Sequence, residues 1–478
     1  MNRKMVFSVI GYIIGAEALL LLFPALVGLI YLEKFALWYL LTAAICALVG
    51  GGLIYLCRGA DKTIYAREGF AIVALGWLFM SALGALPFVF TGEIPDYIDA
   101  FFETISGFTT TGATILKTVE QLSHATMFWR SFTHWIGGMG VLIFIMAVIP
   151  NISDRSVHIM KAEMPGPVFG KLVPRARDTA KILYLLYIAL TVLMFIMLLI
   201  CGMPVFDSII HAIGTAGTGG FGIKNDGIAG YSSSVQVVIT VFMLVFGVNF
   251  NLYYLVSVRK FRAAVSSSEF WIFLGIFAVS SSVLTVSILP GTALSEGIRR
   301  SCFQVASIMS STGFGTVDTN SWPMIGKGVL LILMLIGGCA GSTAGGLKLS
   351  RAILLVKALK REIRRLIHPR SVSSVNFEGH PVDEATISSV NSYFAVYCFC
   401  IIGTFLLLCF DPSMGIEENI SAAISAFNNI GPAFGKVSGS MADYSGFSKI
   451  VLSFSMLAGR LEVYPLLLAL LPSTWTKH

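Results

Sequence analysis

Four short glycine-bearing segments interrupt otherwise apolar stretches of this chain: Thr109-Thr110-Thr111-Gly112, Gly217-Thr218-Gly219-Gly220, Ser311-Thr312-Gly313-Phe314 and Asn428-Asn429-Ile430-Gly431. The chemistry open to them is coordination by the main chain. Carbonyl oxygens can replace the hydration shell of a monovalent cation when successive residues turn them toward one axis. Glycine makes such backbone shapes accessible, because without a Cβ it adopts positive φ freely, and threonine hydroxyls offer further oxygens. The expected ligands are the carbonyls of Thr110, Thr111, Gly112, Thr218, Gly219, Thr312, Gly313, Ile430 and Gly431, with Ile430 standing where the other loops have Thr111, Thr218 and Thr312. Gly112, Gly219, Gly313 and Gly431 lie 107, 94 and 118 residues apart, a period that signals internal duplication. A single Thr-Gly pair is unspecific; four at regular spacing are not.

The elements that must position these loops follow from composition. The chain has 478 residues, is 56% hydrophobic and 12% charged, and has a mean hydropathy of +0.81, which excludes a soluble globular domain and indicates a polytopic membrane protein. Apolar runs long enough to span occur at 6–32, 35–57, 70–90, 128–149, 180–201, 235–258, 270–289, 324–367 in two halves, 390–410 and 447–471, giving ten expected spans. Segments 96–108, 205–216, 294–311 and 415–429 are too short to cross and read as re-entrant helices. Each begins near an acid: Asp96, Asp207, Glu296, and Glu417 with Glu418. A carboxylate suits a helix N-terminus, and the partly negative C-terminal ends then face the loops, where they attract a cation. The same acids serve equally as ordinary caps. The order span, half-helix, loop, span divides the chain into an N-terminal helix pair (1–68), repeats at 69–150, 179–262, 269–370 and 386–472, and a linker at 151–178. The expected fold is all-α, with four repeated units around one pore. Non-helical backbone at membrane depth must line a cavity or be buried in protein, so ion conduction is the leading reading.

The net charge of +7 reports orientation rather than nucleic-acid binding. With the four loops outside, 23 of 33 Lys and Arg fall at the N-terminus, at 58–68, 151–181, 259–262 and 348–370, and at the C-terminus, the bias expected of cytoplasmic segments. Both termini are then cytoplasmic. The basic run at 357–370 serves contact with anionic lipid, or docking of a regulatory protein. His124 and Trp129 are placed in an outer connector as interfacial anchors. Eight cysteines lie scattered without CxxC or Cys/His spacing, so neither disulfides nor metal sites nor a covalent cofactor are expected.

Two further features stand out. Gly337, Gly338, Gly341, Ser342, Thr343, Gly345 and Gly346 crowd the middle of one span, and glycine costs roughly 1 kcal/mol against alanine in a helix, so the helix should break there unless small residues serve close packing. Arg460 lies within another span, where a lone arginine costs about 2.5–3.5 kcal/mol on insertion scales. Glu462, two residues on, does not share its helix face.

The segments SGFTTTGAT, GTGGFG, SSTGFGT and NNIGPAFG, with IGGCAGSTAGGLK and AGRLEVYPLLL, resemble the TrkH branch of the Trk/Ktr/HKT potassium-transport superfamily over nearly the whole chain. The resemblance implies four covalently linked units around a potassium pathway in the bacterial cytoplasmic membrane, a homodimer, and a cytoplasmic TrkA-like RCK ring that binds NAD or ATP/ADP. It also implies that residues 337–346 form a gate and that the matching Arg460 projects into the pore. No loop carries TVGYG, so potassium is expected to be preferred with weaker passage of rubidium or sodium. The competing reading is a secondary transporter coupling potassium to sodium or protons, although its repeats would commonly be inverted. An enzyme lacks a base and nucleophile here.

Overall fold

Peptide groups in hydrocarbon must be satisfied within the chain, so the long apolar runs fold as helices. The protein, a computed structural model, is described for residues 2–59, 66–140, 176–370 and 373–475. Helix α1 (Arg3–Leu20) starts at Asn2, whose side chain accepts from the Met5 N–H, and α2 (Leu22–Ile30) continues it. Helix α3 (Ala36–Leu56) returns against α1. Two glycines make that crossing close: a Cβ on Gly11 would lie 2.9 Å from the Gly50 carbonyl oxygen, the small-residue contact typical of membrane helices. Helices α4 (Ala66–Gly84) and α5 (Leu86–Thr91) form the next span and lead into α6 (Tyr97–Phe108) and α7 (His124–Gly138).

The same sequence of elements then recurs. Helix α8 (Ala176–Ile200) precedes α9 (Val205–Ala216), α10 (Ser233–Gly247), α11 (Phe250–Ser257) and the short α12 (Phe261–Val265). Next come α13 (Ser268–Ile288), α14 (Leu294–Met309), α15 (Met324–Ile336) and α16 (Leu349–Ile367). The chain closes with α17 (Glu384–Leu408), α18 (Ile416–Phe427), α19 (Gly446–Arg460), α20 (Tyr464–Leu470) and α21 (Pro472–Trp475). A two-residue ribbon pairs Asn376–Phe377 with His380–Pro381. Its turn residue Glu378 accepts from the Ser268 and Glu269 N–H groups and so caps α13.

The four expected half-helices are α6, α9, α14 and α18, with 12, 12, 16 and 12 residues. The helices that follow their loops, α7, α10, α15 and α19, have 15, 15, 13 and 15 residues. Three of them begin at serines, Ser123, Ser232 and Ser445, whose hydroxyls accept from the Thr126, Val235 and Ser448 N–H groups, satisfying one orphan donor each.

Among the described residues, six helices are long and apolar enough to cross a membrane, or eight if two bent pairs count as one span each. The fold is that of a multi-pass membrane protein. The runs 235–258 and 447–471, read as unbroken, are both broken: α10 meets α11 at 92° and α19 meets α20 at 119°. At the first break the Asn249 side chain caps the Asn251 N–H. At the second, Glu462 and Val463 adopt positive φ of 55° and 64°, and Pro465 lies in the first turn of α20, where its missing N–H is an orphan donor in any case. The end of the run 128–149 and nearly all of the linker 151–178 lie outside the described residues. His124 and Trp129 belong to α7 rather than to a connector. Trp129 is fully buried, its indole N–H on the Gly84 carbonyl, so it anchors helices to one another and not to an interface.

Candidate functional site

The four half-helices end in one repeated turn. The N–H groups of Thr109, Gly217, Ser310 and Asn428 close a last helical bond. Thr110, Thr218, Ser311 and Asn429 then turn left-handed, with φ of 57°, 54°, 55° and 54°. The next N–H reaches back five residues: Thr111 to Ser106, Gly219 to Gly214, Thr312 to Ser307 and Ile430 to Ser425, at 2.9, 3.0, 2.8 and 3.0 Å. This is a Schellman closure made without glycine, and each left-handed non-glycine residue costs roughly 1–2 kcal/mol. Identical strain at four places requires the surroundings to impose it.

Two residues beyond each left-handed turn the backbone is left-handed again, and there the residue is always glycine: Gly112, Gly220, Gly313 and Gly431, with φ of 77°, 81°, 82° and 99°. That register differs from the expected one in the second loop. Thr218 stands with Thr110, Ser311 and Asn429, while Gly219 takes the place of Thr111, Thr312 and Ile430. The paired glycines 219 and 220 hid the one-residue offset, since either could fill the glycine position.

These glycines and their neighbours' carbonyls form a closed cycle. A Cβ on Gly112 would collide with the Gly219 carbonyl oxygen, one on Gly220 with that of Thr312, and one on Gly313 with that of Ile430; on Gly431 it would lie 2.6 Å from that of Thr111. The contacts run from loop to loop and return to the first. Thr110, Thr111, Thr218, Thr312 and Ile430 are fully buried. At equivalent positions of the first and last loops, Thr110 Oγ1 and Asn429 Oδ1 are buried without hydrogen-bond partners among the described residues, oxygens suited to a cation. On one side of the ring a cavity of ≈ 450 Å³ opens, lined by all four left-handed glycines with Lys117, Lys224, Lys436 and Asp443 among others.

The other side is obstructed. The expected break falls between α15 and α16, and the intervening loop holds Gly337, Gly338, Gly341, Ser342, Thr343, Gly345 and Gly346. Gly337, Gly341 and Gly346 are left-handed, as is Lys348. The loop fills the gap between α10 and α11, donating from the Cys339 N–H to the Gly247 carbonyl and accepting at the Gly341 carbonyl from the Phe250 N–H, each at 3.0 Å. The Gly345 N–H donates to Ser311 Oγ at 2.6 Å, and a Cβ there would collide with the Asn428 carbonyl, so the loop bears directly on the third and fourth glycine segments. Arg460 donates to the Thr343 carbonyl at 3.0 Å and to those of Gly137 and Gly138 at 2.6 and 2.7 Å. Glu462 does not serve Arg460; it accepts two bonds from Arg351, at 2.6 and 2.7 Å. A pocket of only ≈ 40 Å³ remains between Gly345, Asn429, Lys348 and Arg460.

The sequence matches the TrkH family, described as cation transport proteins, over residues 39–274 and 276–476. The chain belongs to the TrkH family. It is 34% identical to the Trk system potassium uptake protein TrkH of Salmonella typhimurium, covering 99% of this chain and 100% of that protein. It is 33% identical to the Trk system potassium uptake protein TrkG of Escherichia coli, covering 97% of each. The crystal structure of the potassium transporter TrkH from Vibrio parahaemolyticus superposes with a TM-score of 0.89 at 30% identity over 100% of both chains. The family comprises membrane transport proteins, not enzymes.

In this TrkH-family chain the two buried histidines and Asn249 are held by hydrogen bonds within the protein. His134 is fully buried, Nδ1 against the Gly107 carbonyl at 2.8 Å and Nε2 accepting from the Phe221 N–H at 3.3 Å. His211 hydrogen-bonds the Asp207 carbonyl at 2.7 Å, and Asn249 and Asn251 form the helix break. Glu17 is fully buried, and neither of its oxygens has a hydrogen-bond partner among the described residues. What sequence reasoning missed is the ion pair behind the ring. Arg130 and Glu103, 2% and 0% exposed, lie 2.7 Å apart. Glu103 also accepts from the Thr114 hydroxyl and the Ile115 N–H, and the Arg130 guanidinium stacks 4.1 Å from the Phe221 ring centre. One pair thus binds the first loop to the second. A charged residue in each of two apolar-flanked helices was the available signal. Removing one partner of a buried pair typically costs about 3–5 kcal/mol. Glu103→Gln is therefore expected to lower the thermal midpoint of the purified protein markedly, while Glu103→Gln with Arg130→Met recovers part of the loss; an unchanged midpoint in the single variant would refute the clamp.

Proposed function

We propose that this chain takes up potassium through a channel-like path whose selecting ligands are the carbonyls of the four-loop ring. The observation that carries the reading is the closed cycle in which each left-handed glycine meets a carbonyl oxygen of the next loop. Four units of span, half-helix, loop and span surround it, completing ten spans with the N-terminal pair. The loop at 337–346 with Arg460 is the gate, shut in this conformation, since a dehydrated cation passing it meets a guanidinium and a pocket of ≈ 40 Å³. The relatives' names support potassium as the substrate. Rubidium and sodium also pass, more weakly than potassium, because Ile430 and Gly219 interrupt the threonines of the ring, and its broken fourfold symmetry relaxes discrimination between ions.

The setting proposed is the bacterial cytoplasmic membrane, with both termini cytoplasmic, a homodimer, and a cytoplasmic TrkA-like RCK ring binding NAD or ATP/ADP as the controlling partner; among the described residues no nucleotide-binding fold is present that could sense on its own. The test is electrical. Purified protein in planar bilayers should give unitary current steps, with a reversal potential in mixed potassium and sodium displaced toward the potassium value. Steady flux without unitary steps would favour a coupled transporter, and strict exclusion of sodium would contradict the relaxed ring.

A further inference from the structure

Helix α16 starts beside the glycine loop and runs 19 residues, about 28 Å at 1.5 Å per residue, long enough to carry its last turns out of a hydrocarbon core about 30 Å thick. Two features meet there. Val356, Leu359, Ile363 and Leu366, three and four residues apart and hence on one face, are 61%, 62%, 48% and 83% exposed. Beside this stripe lies a groove of ≈ 550 Å³ lined by Lys357, Lys360, Arg364, His368, Ser373 and others. Several basic residues there are already engaged: Arg361 with Glu384 and Glu362, Arg365 with Glu362, and Lys357 with the Asn376 carbonyl. Lys360 and Arg364 have no acidic partner among the described residues. Among the described residues, Ser373 Oγ is buried without a hydrogen-bond partner.

Two unmatched cations and an idle hydroxyl beside exposed hydrocarbon call for a ligand with anionic oxygens at one end and acyl chains at the other. We infer that this groove binds an anionic phospholipid, its phosphate held by Lys360, Arg364 and Ser373 Oγ and its chains lying along Val356, Leu359, Ile363 and Leu366. Basic pockets at the ends of membrane helices take phosphate headgroups in this way, and an amphipathic helix lays its apolar face in the acyl boundary. A protein partner held by charge would leave the stripe unaccounted for.

The test uses the full-length chain, delipidated in neutral detergent, with bound lipid counted by native mass spectrometry. Phosphatidylglycerol should bind and phosphatidylcholine should not, and inorganic phosphate at the same concentration should not displace the lipid. Lys360→Gln with Arg364→Gln should weaken phosphatidylglycerol binding about 30-fold, at roughly one surface charge's contribution each, with the elution volume on gel filtration unchanged. Equal binding of both lipids, or undiminished affinity in the double variant, overturns the site. So does displacement by free phosphate, which makes it an anion site only. Efficient disulfide cross-linking of a Leu359→Cys variant between two copies in phosphatidylglycerol bilayers would assign the stripe to a dimer contact and equally overturn it.

Discussion

Gly313→Ala is expected to abolish potassium uptake in liposomes while leaving the protein folded, and Gly315→Ala, two residues away, to leave uptake within about twofold of the parent. The contrast comes from the backbone. At Gly313 φ is 82°, and a Cβ would meet the Ile430 carbonyl oxygen, one of the ligands proposed for the ion. Left-handed strain for alanine is roughly 1–2 kcal/mol, and the carbonyl must also move to relieve the collision. In enzymes a misplacement of about 1 Å costs about 100-fold, and a ring of ligands that replaces a hydration shell should be no more forgiving, so the loss should reach at least that size. At Gly315 the nearest atom to a new Cβ is 3.9 Å away. Gly220→Ala should behave as Gly313→Ala does, because the one-residue offset of the second loop makes Gly220 the glycine that touches the Thr312 carbonyl. Rubidium uptake per mole of reconstituted protein measures all three; full uptake by Gly313→Ala would remove the ring as the selecting element.

How far this was legible in the sequence depended on what each feature is made of. The half-helices were readable because length alone forbids them to span, and α9 has the bounds 205–216 that its apolar run implies. The break at 337–346 was readable because glycine accumulates there. The breaks after Gly247 and Arg460 were not foreseen: their cause is tertiary, Glu462 being drawn to Arg351 and Phe250 to the Gly341 carbonyl, and only Asn249 and Pro465 hinted at them. The offset in the second loop escaped because Gly219 and Gly220 look alike until the φ of each is known. The Arg130–Glu103 clamp escaped because its partners are 27 residues apart on different helices, a pairing that helical periodicity does not encode. Arg460 was conspicuous as a charge in hydrocarbon, but its acceptors are carbonyls of two distant segments, which carry no side-chain signature at all.

Those carbonyls decide what Arg460 does when it is replaced. Arg460→Gln is expected to raise basal potassium flux about 10- to 100-fold in liposomes lacking any partner protein. A unit charge about 4 Å from a passing ion is worth about 4 kcal/mol at an effective dielectric near 20, which alone could support a change near 1000-fold. The glycine loop stays in place and leaves only the ≈ 40 Å³ pocket for passage, so the lower range is expected. A second contribution is mechanical. The guanidinium bridges Thr343 in the loop to Gly137 and Gly138 at the end of α7, and hydrogen bonds from a charged donor contribute about 1.5–3 kcal/mol each. Arg460→Lys separates the two: it retains the charge but not the planar fork that reaches both sides. If repulsion dominates, the lysine variant stays as tight as the parent; if the tether dominates, it leaks nearly as much as glutamine. Basal flux in Arg460→Gln no higher than in the parent, at equal reconstituted protein, would mean that the loop closes the path without help from this residue.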